Sequence, residues 1–221
     1  MDWAFIQRFL PMYGWAALLT IRIGFEGCVL SLVVGFICAC IRHLQVPVLK
    51  RLAGGYIELS RNTPLLVQLF FLYFGLPKLG IRFSSETCAV VGLTFLGGSY
   101  MAEAFRAGLE SVDKIQYEAA LSLGMTRSMA LRHVIAPQAL AISFPSLCAN
   151  IIFLIKETSV FSVVALADLM YVAKDLLGLY YKTLETLGLL VFFYLILLLP
   201  VSLGAAAIES RVCYGGFSRA A

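Results

Sequence analysis

The sequence predicts an all-α, polytopic membrane protein with five transmembrane helices and a helical cytoplasmic segment, and three observations predict it. Of 221 residues, 61% are hydrophobic and 14% charged, against roughly a quarter charged in a typical soluble domain. Mean hydropathy is +0.89. The apolar residues come in blocks near the ~20 positions a helix needs to cross the hydrocarbon layer, with the charges gathered between them.

Taken in order, residues 3–12 read as a short amphipathic segment at the outer surface, and a first span covers 16–41 up to Arg42 and His43. Arg22 and Glu26 lie four apart within it, where an ion pair lowers the cost of each charge in lipid. Pro47, Lys50 and Arg51 make a basic turn. The second span, 53–76, is interrupted by Arg61-Asn62-Thr63-Pro64. The proline removes a backbone donor and opens the helical ladder. A bilayer tolerates this only where protein or a water-filled cavity satisfies the freed groups. After an outer loop, Lys78 to Glu86, the third span (87–108) carries Gly92, Gly97, Gly98 and Ser99, small residues that let helices approach. The fourth span, 141–165, contains Asn150, Lys156 and Glu157; residues 166–186 form an amphipathic surface segment; the fifth span covers 187–208. A single transmembrane domain therefore accounts for 1–221.

The net charge of +4 does not indicate nucleic acid, because the bases sit in short loops beside apolar blocks. An outside N-terminus places ten of them inside (Arg42, Lys50, Arg51, Arg61, Arg106, Lys114, Arg127, Arg132, Arg211 and Arg219) and five outside (Arg8, Lys78, Arg82, Lys174 and Lys182). That asymmetry predicts a cytoplasmic C-terminus. The six cysteines, Cys28, Cys38, Cys40, Cys88, Cys148 and Cys213, show no CxxC spacing and read as small buried hydrophobes. Asp2 and the early Pro11 fit a cleavable leader badly.

Residues 109–140 are polar and helix-prone, too long for a simple turn. Ala119, Ala120, Leu121 and Leu123 favour helix, Gly124 is free to turn sharply, and Pro137 is expected to restart the chain at a new angle. A helix, a break and a second helix result. Such a knob fits a groove on a cytoplasmic protein; an ordinary loop helix fits the residues equally well.

Glu118-Ala119-Ala120, then Gly124, then Val134-Ile135-Ala136-Pro137 resembles the signature of bacterial ABC importer permeases: EAA, three residues, G, nine residues, I-x-L-P. Val134 and Ala136 replace its isoleucine and leucine with other apolar residues. The resemblance implies that Glu118, Ala119, Ala120, Gly124, Met125, Thr126, Arg127 and Pro137 belong to a coupling helix that docks in a cleft of the ATP-binding subunit. It extends over about residues 12–212. There Arg61-Asn62-Thr63-Pro64-Leu65-Leu66-Val67-Gln68, Ala102-Glu103-Ala104-Phe105-Arg106-Ala107-Gly108 and Ile155-Lys156-Glu157-Thr158-Ser159 look like the polar amino-acid branch. That branch usually has aspartate where Glu157 stands.

The Walker pattern GxxxxGK[ST] is absent from the sequence, so the chain has no phosphate cradle of that kind. The resemblance implies a transporter subunit rather than an enzyme, with no cofactor of its own. ATP and Mg belong to two copies of a partner ATPase subunit. An extracytoplasmic solute-binding protein and a second permease, identical or a sister chain, complete the assembly in lipid of the bacterial inner membrane.

Ionisable groups at depth are the candidates for the substrate path. Lys156 and Glu157 lie 19 and 20 residues after Pro137, about 30 Å along a helix. Asn150, Leu154, Glu157 and Phe161 share one helical face. Glu157 can accept an ammonium, and Asn150 or a helix end can donate to a carboxylate; pairing with neighbouring spans is the other reading. Arg61 to Pro64, followed by Thr158 and Ser159, join the list of path residues. Tyr100 and Glu103 complete that list, although with Arg106 they read first as a structural cluster, and Glu58 with Arg61 as another i, i+3 pair. An importer of a different small solute is the nearest alternative. An ion-driven carrier is disfavoured because no internal repeat is evident, and a scaffold leaves the coupling segment unexplained.

Overall fold

In the computed structural model, residues 1–44 and 46–214 are described. Arg219, counted above among the inner bases, lies outside them, as do the side chains of Arg211 and Cys213.

The first helix, α1, runs unbroken from Trp3 to Leu44, 42 residues, about 63 Å at 1.5 Å per residue. Residues 3–12 are therefore not a separate surface segment. Phe5, Tyr13, Ala16 and Ala17 are buried in one cluster with Leu169, Val172 and Leu189, and this packing carries the helix through Pro11. α2 (Pro47–Arg61) and α3 (Leu65–Phe70) flank the expected break. α3 continues through a π turn, Phe71–Gly75, and a 3-10 turn, Leu76–Leu79. α4 (Ser85–Glu110) starts at Ser84, whose hydroxyl accepts from Thr87 N–H at 3.1 Å. The short α5 (Lys114–Ser122) and α6 (Arg127–Ala130) lead through a π turn, Leu131–Ile135, into α7 (Ala136–Glu157). A 3-10 turn, Thr158–Val164, then α8 (Leu169–Tyr180) and α9 (Thr183–Tyr214) complete the chain.

Trp3–His43, Ser85–Glu110, Arg127–Val164 and Thr183–Ser210 are long and apolar enough to cross a membrane. Residues 53–76, expected as a second span, instead form shorter helices around a break and are not among these four. Each π turn ends two residues before a proline, Pro77 or Pro137. Proline cannot donate to the carbonyl four residues back, and a widened turn absorbs the ring and the lost bond. Helix re-entry accordingly occurs at Arg127, ten residues before the expected restart at Pro137.

α4 is the central post. A Cβ at Gly35 of α1 would lie 2.8 Å from the Ala102 backbone nitrogen, and one at Gly108 would lie 2.5 Å from the Ala139 carbonyl oxygen. Helix backbones this close admit only glycine. Around these seams Ile23, Leu93, Met101, Leu154 and Phe161 are fully buried. A second core sits where α1 begins: Tyr13 donates to the Thr186 carbonyl at 2.9 Å and stacks on Phe193. There Asp2 N–H also donates to Glu185 at 2.8 Å, and Lys182 to Asp2 at 2.9 Å. The outward face of α9, by contrast, exposes Val191, Phe192, Leu199 and Leu203.

Candidate functional site

The break between α2 and α3 is locked by its own polar groups. Pro64 leaves the Ser60 carbonyl without its helical donor, and Gln68 supplies one: its Nε2 donates to Ser60 O at 3.2 Å and to Thr63 O at 2.9 Å. Thr63 Oγ1 donates to Leu59 O at 2.8 Å, and Asn62 Nδ2 to Glu58 O at 2.8 Å and Glu58 Oε2 at 3.2 Å. Glu58 thus takes Asn62 instead of the expected Arg61. Gln68 is not among the functional residues expected from the sequence. Its signal was an amide inside an otherwise apolar run, four residues past a proline.

Beside this break lies a cavity of about 360 Å³. Arg61, Asn62, Thr63 and Pro64 line it, with Tyr100 of α4 and Glu157 at the end of α7; Leu96, Phe153 and Val160 are among its apolar walls. Six of the eleven residues named above for the substrate path therefore meet at one place. The Arg61 guanidinium stands 5.3 Å over the Tyr100 ring, a cation–π geometry. Among the described residues no ion pair joins Arg61 to Glu157 across the cavity.

The other named residues lie outside its lining. Asn150 donates to the Tyr100 carbonyl at 3.3 Å, stitching α7 to α4. Glu103 accepts from Arg106 Nη2 at 2.6 Å, as its i, i+3 spacing predicts, and from Arg42 Nη1 at 2.5 Å. Lys156 is exposed, turned away from Glu157 by the ~100° step between neighbours on a helix. Thr158 is buried and donates to Ile155 O at 2.7 Å; Ser159 is half-buried. Arg22 reaches both Glu26, at 3.9 Å, and Glu86 at the start of α4.

The second site is the elbow between α5 and α6. Asp113 caps α5 by accepting from Ile115 N–H at 3.0 Å. At its far end Gly124 adopts φ +83°, Gly124 N–H donates to Leu121 O at 2.9 Å and Met125 N–H to Ala120 O at 3.2 Å. These two bonds define a Schellman turn. Thr126 then caps α6 by accepting from Met129 N–H. Ala120 is buried, whereas Glu118 and Ala119 are exposed. Leu123, 81% exposed, and Ile115, 66% exposed, project from the elbow.

Residues 31–213 match the family described as "binding-protein-dependent transport system inner membrane component". The chain belongs to that family. The permease is 41% identical over 185 residues to the probable glutamine ABC transporter permease protein GlnM of Bacillus subtilis (strain 168), covering 82% of this chain and 84% of that protein. It is 33% identical over 213 residues to the glutamine transport system permease protein GlnP of Escherichia coli (strain K12), covering 96% and 97%. Its fold matches the crystal structure of an amino acid ABC transporter with histidines at a TM-score of 0.89, 33% identity, and coverage of 96% and 99%. The permease is thus a multi-pass inner-membrane subunit that works with a solute-binding protein, and ATP hydrolysis belongs to a separate ATPase subunit.

Proposed function

We propose that this chain is the permease of an ATP-driven importer of polar amino acids, and that the cavity beside the α2–α3 break holds the substrate in transit. One observation carries the substrate reading: a guanidinium and a carboxylate line the same small cavity without pairing to each other. A zwitterionic amino acid matches that arrangement, its carboxylate to Arg61 and its ammonium to Glu157. The relatives named for glutamine and for amino acids support the same class. Asn150, held in the α4–α7 seam, gives way to Arg61 as the carboxylate donor.

In this reading the α2–α3 pair makes a fifth crossing, with the cavity satisfying its broken ladder. The N-terminus faces outside and the elbow faces the cytoplasm. Two copies of the ATPase subunit, holding ATP and Mg²⁺, take the Glu118–Arg127 elbow into their clefts. A second permease, identical or a sister chain, closes the pathway, and the outward apolar faces of α1 and α9 meet lipid.

The test is uptake into proteoliposomes containing the permease, its ATPase and its solute-binding protein, with labelled glutamine, glutamate, arginine and histidine. ATP-dependent uptake of at least one is expected. Glu157→Gln should raise its KM roughly tenfold or more, the scale of one charge-assisted hydrogen bond. Uptake of none, or kinetics indifferent to Glu157, contradicts the reading.

A further inference from the structure

Glu103 sits where arginines from three helices converge. Its Oε1 is held by Arg42 of α1 at 2.5 Å; its Oε2 is held by Arg106 of α4 at 2.6 and 3.1 Å. Arg106 is shared with Glu110 at 2.5 Å. Arg61 of α2 comes third, 3.9 Å from Oε2 and beyond hydrogen-bond reach. Both oxygens are already engaged, and three guanidinium groups face two carboxylates. The cation left over is Arg61, which is also the one that lines the cavity.

We infer that Glu103 is a positioning residue for substrate binding, holding Arg61 electrostatically over Tyr100 and competing with the ligand carboxylate for it. This rests on the cavity reading above. An arginine bound by short hydrogen bonds would, on moving, leave a half-buried carboxylate short of its donors. Arg61 can move without that penalty, because Arg42 and Arg106 keep Glu103 satisfied. An arriving amino acid therefore draws Arg61 toward the cavity, and its departure returns Arg61 to Glu103. The strength of that competition is set by how much of the Glu103 charge Arg42 already neutralises.

The inference predicts opposite effects from two substitutions in one cluster. Glu103→Gln removes the competitor, so amino-acid binding tightens threefold or more. Arg42→Gln leaves Glu103 less neutralised, so Arg61 is held harder and binding weakens by a similar factor. Glu103→Asp keeps the charge and stays near the parent affinity.

Binding is measured on the permease–ATPase complex in lipid nanodiscs, without the solute-binding protein. The probes are labelled glutamine, arginine and histidine, with the α-decarboxylated amine of each, which carries no carboxylate, as competitor. Both shifts should appear for the amino acids and be absent for the amines, which lack the group that Arg61 meets. A purely structural Glu103 would move amino acids and amines together, or lower the yield of complex alone, and either result overturns the inference. Arg61→Gln separates the two layers. If it leaves the amino-acid-to-amine preference unchanged, or if the parent complex binds no probe, the cavity reading itself fails. If Arg61→Gln erases the preference while Glu103→Gln and Arg42→Gln leave it alone, only the positioning role fails.

Discussion

At the scale of single residues, Asp168 has the clearest pH signature. It is fully enclosed, caps α8 by accepting from Tyr171 N–H at 2.9 Å, and its Oδ2 has no partner among the described residues. Burial pushes its carboxyl up to about 7 from an ordinary 3.8. The folded state therefore holds this proton more tightly than the unfolded chain. Its stabilising effect is complete below pH 4, is lost as pH rises toward 7, and changes no further above that. Asp168→Asn keeps the cap oxygen and removes the titration, so melting temperatures of the purified complex at pH 5 and pH 8 should converge; a gap as wide as the parent's would contradict it. Ionisable residues in apolar sequence, such as Arg61 and Glu157, were legible as path candidates because charge in lipid needs a reason. Asp168 was not, since its burial depends on how α8 folds back over α1 and α9. The left-handed backbone at Ala165 and Tyr181 was equally invisible, because neither residue type signals a turn.

Among the elements, the break between α2 and α3 was predicted from Pro64, but its repair was not. A missing donor is local information; the donor that replaces it comes from a side chain whose reach depends on the turn actually formed. Gln68→Glu keeps the size of the side chain and exchanges its donor for an acceptor facing two carbonyls. It should cost about 1–3 kcal/mol, read as a lower melting temperature of the complex, whereas unchanged melting would mean that Ser60 and Thr63 find other donors. The small residues of α4 were read correctly as close-approach positions, since Gly92, Gly97 and Gly98 all meet side chains of α1, α3 or α2. Helix boundaries were read less well. The run from Trp3 to Leu44 and the early re-entry at Arg127 follow from tertiary packing and π turns, neither of which has a strong single-sequence signal.

In the whole molecule two places on one chain are joined: a cavity at the α2–α3 break and an elbow at α5–α6. α7 links them physically. It begins in continuity with the elbow through the π turn at Leu131–Ile135 and ends at Glu157 on the cavity. In the proposed mechanism this helix of 22 residues moves with the elbow, so displacement of the elbow by an ATPase subunit reaches the cavity as a change in its shape. The elbow transmits only if its angle is fixed, and that angle depends on Gly124. Nothing lies within 4 Å of a Cβ placed there, so a substitution meets no clash. The penalty is conformational, about 1–2 kcal/mol for an L side chain at positive φ. The most direct measurement is the number of ATP molecules hydrolysed per amino acid imported, in proteoliposomes with ATPase and solute-binding protein, for the parent chain, Gly124→Val and Glu118→Lys. Both variants should assemble in the membrane and import far less for each ATP hydrolysed, or lose ligand-stimulated hydrolysis altogether. Parent-like import at a parent-like ratio in both variants would show that the elbow does not carry the coupling.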